Sequence, residues 1–332
     1  MKRYKWGILG TGKIANRFGD ALSNIPDEAE LYAVASRTME SANKYGDKYG
    51  IEKRYEGYET LVSDPEVDIV YVGTPGKFHL RDVTTALEAG KHVLCEKAFT
   101  LNSEEAESLI NLATAKNLFL MEGMWTRFFP VYVKIREIIQ AKSIGDLRGF
   151  TANFAAVAPA GKTNRFWDVA LGASSMMDVG AYGISMANHF FGEPLEIAGL
   201  ADMGEGGFDY QSSCILKYNE GRMATIMSSQ TGYEVKNATL FGTDGKIEIN
   251  DPWYKPTSLS LHIRGEEPEL MEFPLGKFIG QEYEIRDVMS CIDEGKIESS
   301  IMPLKDSLNE MKILDNLRAK WGFKFPGEKQ WL

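Results

Sequence analysis

Little in this chain of 332 residues could be stapled or metallated. Its three cysteines, Cys95, Cys214 and Cys291, lie far apart, which excludes a disulfide framework or a cysteine-based metal cluster. Its four histidines, His79, His92, His189 and His262, have no metal-ligand spacing such as H-E-x-x-H, so no metal is expected. Positive charge is in deficit. The 37 Lys and Arg against 47 Asp and Glu leave a net charge of -10, which argues against a nucleic-acid surface or a basic membrane patch. Long apolar runs are also missing, and the first ten residues pass directly into a strand, so neither a signal peptide nor a membrane span is expected. There is no internal repeat and no low-complexity linker. What remains is a reduced, cytoplasmic protein with enough chain for two cored domains.

What is present begins at the N-terminus. The strand Trp6-Gly7-Ile8-Leu9 runs into Gly10-Thr11-Gly12-Lys13-Ile14-Ala15 and then into a helix-period segment. Gly10 permits the tight turn out of the strand, Gly12 lets backbone approach a pyrophosphate, and Ala15 lets the helix sit close to the sheet. The N-terminus of that helix favours the diphosphate's negative charge. The alternative is a glycine-rich turn with no ligand. The placement after a strand and before a helix favours the dinucleotide site. A second strand, Glu30 to Ala35, ends at Ser36-Arg37-Thr38, where NAD-selective sites carry an Asp or Glu for the ribose 2′-hydroxyl. With no carboxylate there, Arg37 can pair with a 2′-phosphate while Ser36 and Thr38 supply hydrogen bonds. NADP is therefore expected rather than NAD.

Helices are expected from Ile14 to Ser23 and from Thr38 to Tyr49, and a turn-and-helix from Tyr55 to Asp64. The apolar run Val67 to Val72 reads as a buried parallel strand, and it ends at Gly73-Thr74-Pro75-Gly76, on the edge where ligands bind in such sheets. A helix from Phe78 to Ala89 carries His79 on its first turn, where a packing or capping role competes with cofactor contact. The strand His92 to Cys95 leads to Glu96-Lys97-Ala98. Asn102 with Glu105 forms a capping box for a helix to Lys116, and Leu118 to Met121 completes a doubly wound parallel sheet of order 3-2-1-4-5-6.

Beyond Pro130 the pattern changes. A helix from Val131 to Lys142 is followed by strands at Leu147 to Phe154, Leu195 to Ala201, Tyr210 to Tyr218, Arg222 to Ser229, Ala238 to Gly242, Lys246 to Asn250 and Ser258 to Ile263. Successive strands without intervening helices imply a mainly antiparallel open sheet. Helices from Glu282 to Glu294 and from Leu304 to Trp321 would cover it or return to the junction. The fold class is α/β, with a dinucleotide-binding domain over residues 1–125 and an α+β domain over 126–332 for substrate and oligomerisation. Strands such as Cys214-Ile215-Leu216 are apolar on both faces, which predicts a homodimer or higher homo-oligomer.

Three motifs together carry a family resemblance: the Gly-x-Gly-x-x-Ala opening, Thr74-Pro75 followed by His79, and Gly90-Lys91-His92-Val93-Leu94-Cys95-Glu96-Lys97. With them the chain resembles the glucose-fructose oxidoreductase and inositol dehydrogenase family. Met121 to Pro130 is similar to the domain junction of its dihydrodiol dehydrogenase-like branch. The resemblance implies that Lys97 lies beside the nicotinamide and the substrate hydroxyl. The family usually has proline where this chain has Ala98. A cis bond costs about 2.5–4 kcal/mol before a residue other than proline, so the Lys97–Ala98 peptide is either trans or a cis bond held by its surroundings. Gly76 also replaces a common Asn.

The family's second signature corresponds to Trp167 to Tyr182, a small-residue turn leading into Asp178-Val179-Gly180-Ala181-Tyr182, with Ala173 and Ser174 in place of two usual glycines. Asp178 and Tyr182 are one helical turn apart, so both can face a cleft. Trp125, Arg127, Phe154 and Trp167 are candidate pocket walls, and Arg165 and Trp167 candidate cofactor contacts. The chemistry implied is hydride transfer between NADP and a secondary alcohol or carbonyl of a sugar or cyclic trans-diol. Tyr182 is the candidate acid/base. Lys97 either tunes its phenol, which titrates near about 10 unperturbed, or relays the proton itself. The competing reading is a non-catalytic regulator sensing dinucleotide or sugar on the same fold. A chain released from catalysis need not retain both Lys97 and Tyr182.

Overall fold

The computed structural model describes residues 2–159 and 165–328. They divide into two compact units. The first is the chain through Trp125 together with Gly276–Leu308, and the second is Thr126–Leu275 together with the residues from Asn309 onward.

The first unit is a parallel sheet wound through helices: β1 (Tyr4–Leu9), α1 (Lys13–Ser23), β2 (Ala29–Ser36), α2 (Met39–Tyr49), β3 (Lys53–Glu56), α3 (Tyr58–Val62), β4 (Ile69–Val72), α4 (His79–Glu88), β5 (His92–Glu96), α5 (Ser103–Lys116) and β6 (Leu120–Gly123). The strand order is β3-β2-β1-β4-β5-β6, as expected. The central strands β4 and β5 are apolar and almost entirely buried, as strands covered on both faces must be. The sequence expectation missed β3. Lys53-Arg54-Tyr55-Glu56 is charged and partly exposed, as suits an edge strand, so no apolar run marks it. β6 also starts two residues later than expected. The Asn102 cap forms, with Glu105 N–H donating to Asn102 Oδ1 at 2.9 Å and Leu101 N–H to Glu105 Oε2 at 3.1 Å.

The second unit opens with α6 (Pro130–Gln140), β7 (Leu147–Ala155) and α7 (Ala181–Phe191), followed by β8 (Glu196–Met203), β9 (Asp209–Lys217), β10 (Met223–Ser229), β11 (Ala238–Gly242), β12 (Gly245–Ile249), β13 (Ser258–Ile263) and β14 (Glu269–Glu272). These strands form one sheet of order β14-β13-β12-β11-β7-β10-β9-β8, antiparallel except where β10 lies parallel to β7. The first strand in sequence thus sits in the middle. The edge strand β14, short and rich in glutamate, was not expected. On β9, Cys214 and Leu216 are buried while Ile215 points outward, so one face of the sheet is packed and the other exposed.

The chain ends with α8 (Gln281–Asp293) and α9 (Leu304–Lys320). α8 corrects the simple division at residue 125. It belongs to the first unit, where it packs on α1, and Leu120 N–H donates to Ile297 O at 3.0 Å. The part of α9 in the second unit brings Trp321 to the sheet, its indole N–H donating to Gly199 O at 3.1 Å. Among the described residues, no helix is long and apolar enough to cross a membrane.

Candidate active site

In the first unit the glycine motif forms the turn its spacing predicts. Gly10 has φ of +99°, a conformation that L side chains rarely adopt, and an added Cβ would lie 3.0 Å from Gly73 O. Gly12 precedes α1, no side chain caps this helix, and its first turn carries no acidic residue. A Cβ at Gly12 would meet nothing within 4 Å, so the space before the helix N-terminus is open. Open space, backbone N–H groups and Lys13 fit a diphosphate. Thr11 and Ser36 hydroxyls stand 3.2 Å apart, tying the turn to the end of β2. Arg37 is exposed beside them. Thr38 is committed as the cap of α2, accepting from Ser41 N–H at 3.3 Å.

The next loop is braced from below. Thr74 donates to Asp82 at 2.7 Å, and Asp82 also accepts from Arg81. His79 is buried with both ring nitrogens facing backbone carbonyls. Nε2 lies 2.8 Å from Thr74 O, and Nδ1 lies 3.1 Å from both Ala98 O and Phe99 O. Burial pushes its imidazole below the usual histidine range despite these carbonyls. His79 therefore joins the Thr74–Pro75 loop to the segment after Lys97, a bracing role rather than a surface free for cofactor. Glu96 ends β5 and accepts from Tyr71 at 2.6 Å and from Lys97 N–H at 3.2 Å. The Lys97–Ala98 peptide is cis, and Lys97 is half-buried. Trp125 was expected as a pocket wall, but it is buried beneath the Arg17 guanidinium, 4.4 Å from its ring.

In the second unit, Asp178 lies in a π-type turn, Met176–Gly180, rather than in a regular helix, and Tyr182 sits on the first turn of α7. Arg165 pairs with Asp178 at 2.7 Å, and Gln230 donates to its other oxygen at 3.0 Å. Tyr182 packs in an aromatic group with Phe154, 5.8 Å between ring centroids, and Tyr254, 5.6 Å. Phe154 and Tyr254 stack at 4.5 Å. Thr126 fixes Tyr254 by donating to its carbonyl at 2.7 Å. Trp167 donates to Pro159 O and meets Tyr210 edge-on at 5.1 Å. Arg127 does not line a pocket. It is fully buried, donating to Ser185 and pairing with Glu310 at 2.8 Å. Tyr254, Gln230, Asp82 and Tyr71 were missed, because each belongs to no motif and acts only through its tertiary neighbours.

A doubly wound sheet with an open glycine turn before its first helix, joined in sequence to a large antiparallel sheet domain, defines a class of dinucleotide-binding proteins. Comparisons with known proteins narrow this. The chain belongs to the GFO/IDH/MocA oxidoreductase family: residues 4–124 match its NAD-binding Rossmann-fold model and residues 132–248 match a GFO/IDH/MocA C-terminal domain. Similar curated proteins include trans-1,2-dihydrobenzene-1,2-diol dehydrogenase of Xenopus tropicalis, 34% identical with 97% of this chain and 99% of the relative covered. The Sus scrofa enzyme of that name is 33% identical over 98% and 99%. Among solved structures, the 3-ketoreductase KijD10 of Actinomadura kijaniata, in complex with NADP and TDP-benzene, superposes with a TM-score of 0.85 at 25% identity, covering 96% of this chain and 98% of that one. An aldose-aldose oxidoreductase of Caulobacter crescentus shares the fold, with a TM-score of 0.86 at 23% identity over 97% and 99%. This protein is an NAD(P)-dependent oxidoreductase acting on CH–OH groups.

Proposed function

We propose that the chain interconverts a secondary alcohol and its carbonyl on a cyclic trans-diol or a sugar, with NADP as the preferred cofactor. The observation that carries the substrate class is the aromatic group around Tyr182. Its phenol sits among Phe154 and Tyr254, faces suited to a ring whose hydroxyl the phenol would meet. The names of the curated relatives support a diol, and KijD10, a 3-ketoreductase bound to NADP, supports a ketone and NADP. The absence of an acidic residue at Ser36-Arg37-Thr38 favours the 2′-phosphate. Gly10 to Ile14, Ser36, Arg37, Thr74 and Pro75 hold the cofactor in this reading, and Arg165 orients Asp178.

A bound nicotinamide would supply the hydride chemistry. The protein must move a proton at the substrate oxygen. Tyr182 holds that proton on its phenol, and Lys97 either lowers the phenol's pKa or carries the proton itself. We further propose a cytoplasmic protein, its three cysteines buried free thiols, and a homodimer formed through the exposed face of the large sheet.

The test is a panel of trans-diols and sugars assayed for NADP and NAD reduction. Lys97→Met and Tyr182→Phe should each lower turnover by about 10²–10⁴-fold with NADPH binding retained, and the double variant should be little worse than the poorer single. Near-normal turnover in Tyr182→Phe would pass the acid/base role to Lys97. Dinucleotide binding with no turnover across the panel would favour the sensor instead. Arg37→Ala should weaken NADPH binding about 10- to 100-fold, corresponding to about 1.5–3 kcal/mol for a lost charged hydrogen bond, and leave NADH binding nearly unchanged.

A further inference from the structure

The turn that carries Asp178 has Ser174 where its motif usually has glycine. Ser174 is fully buried, and its hydroxyl donates to Asp209 at 2.5 Å. The other oxygen of Asp209 accepts from Met176 N–H at 2.7 Å and from the Ser212 hydroxyl at 3.1 Å. Ser212 lies 2.9 Å from Ser228 Oγ, and Ser175 donates to Ser228 at 2.9 Å. Ser174 also accepts from Met177 N–H at 3.2 Å, and its carbonyl accepts from Asp178 N–H at 2.8 Å. Asp209 opens β9 and Ser228 lies on β10, so the turn is tied to two neighbouring strands of the sheet.

We propose that Asp209, acting through Ser174, is a positioning residue that fixes the Met176–Gly180 turn and thereby Asp178 and Tyr182. The serine in place of glycine is then a working part of the site. Glycine would leave this backbone its full freedom, whereas a buried hydroxyl bonded to a carboxylate selects one conformation. The consequence for turnover rests on the oxidoreductase reading above.

Protonation gives the clamp a signature. Burial pushes the Asp209 carboxyl up to about 6 against the pull of its donors, Ser174, Met176 N–H, Ser212 and its own backbone N–H. Above that pH the carboxylate only accepts, whereas a proton on it would oppose N–H and O–H groups that already donate. The other titratable groups on the surrounding elements are Asp178 with its Arg165 on the turn side, Tyr210 and Cys214 on β9, and Asp202 opposite Gln211 on β8, with Lys217 and Glu196 paired to each other at the far ends of β9 and β8; β10 offers none.

The test compares wild type, Asp209→Asn and Ser174→Gly by NADPH affinity, by kcat from pH 5 to 8, and by hydrogen exchange of residues 174–182. Both variants should lose about tenfold or more in kcat and gain about tenfold in exchange over that segment, with NADPH affinity within twofold. The acid limb of wild-type kcat near pH 6 should disappear in Asp209→Asn. Wild-type kcat in Ser174→Gly, with or without faster exchange, would overturn the proposal. If Asp209→Asn does not fold, Ser174→Gly alone decides it. If wild type turns over nothing in the panel, the oxidoreductase reading has failed, and unchanged exchange in Ser174→Gly would still overturn the clamp.

Discussion

Glu284, on α8, has both carboxyl oxygens buried without a hydrogen-bond partner, and burial, then the neighbouring Glu96, pushes its carboxyl well above the usual range. A raised folded-state pKa gives stability that is complete below the unfolded pKa and is lost as pH rises through the folded one. Glu284→Gln removes that loss while keeping shape. Its melting temperature should match wild type near pH 4 and exceed it increasingly toward pH 8, and a constant difference across that range would refute the assignment. Arg127 gives the opposite case. Removing one member of its fully buried pair with Glu310 leaves an uncompensated charge, so Arg127→Ala should cost about 3–5 kcal/mol in denaturant unfolding. A cost within about 0.5 kcal/mol would mean that the pair is not formed in solution.

At the scale of elements, the turn between β1 and α1 separates folding from binding. Gly10 needs its positive φ and a close approach to Gly73, whereas Gly12 has φ of -73° and open space where a Cβ would go. Gly10→Ala should therefore destabilise the fold by about 1–3 kcal/mol. Gly12→Ala should leave the melting temperature unchanged yet weaken NADPH binding, because the added methyl occupies space in front of the helix N-terminus. Equal affinity in Gly12→Ala, measured by fluorescence titration, would move the diphosphate away from this turn. α2 and α5 need no tertiary help for their starts, because Thr38 and Asn102 supply the caps locally.

For the whole molecule, the large sheet presents an uncovered face. Leu200 on β8 is 83% exposed, and Ile215 on β9 and Met223 on β10 are also exposed on the same face of three adjacent strands, each two residues out of register with the next. Such a face favours pairing with a second copy through a two-fold axis. Light scattering at micromolar concentration should show a dimer, and Leu200→Glu with Ile215→Lys should shift it to monomer without unfolding it. A wild-type monomer would end this proposal.

Features that depend on local spacing are legible in the chain alone. The Gly10-x-Gly12 turn, the capping at Asn102 and the buried apolar run of β4 follow from periodicity or from motifs a few residues long. The tertiary structure decided what depends on partners distant in the chain. It placed the edge strands β3 and β14, whose short charged sequences carry no apolar pattern, and returned Gly276–Leu308 to the first unit. It also turned Arg127 and His79 inward, where Glu310 pairs with the guanidinium and the carbonyls of Thr74, Ala98 and Phe99 surround the imidazole. Asp209 lies 35 residues beyond Ser174, and only the folding of β9 against the Met176–Gly180 turn makes them partners. A buried polar group must find its hydrogen bond wherever the chain brings one, and sequence spacing does not encode that meeting.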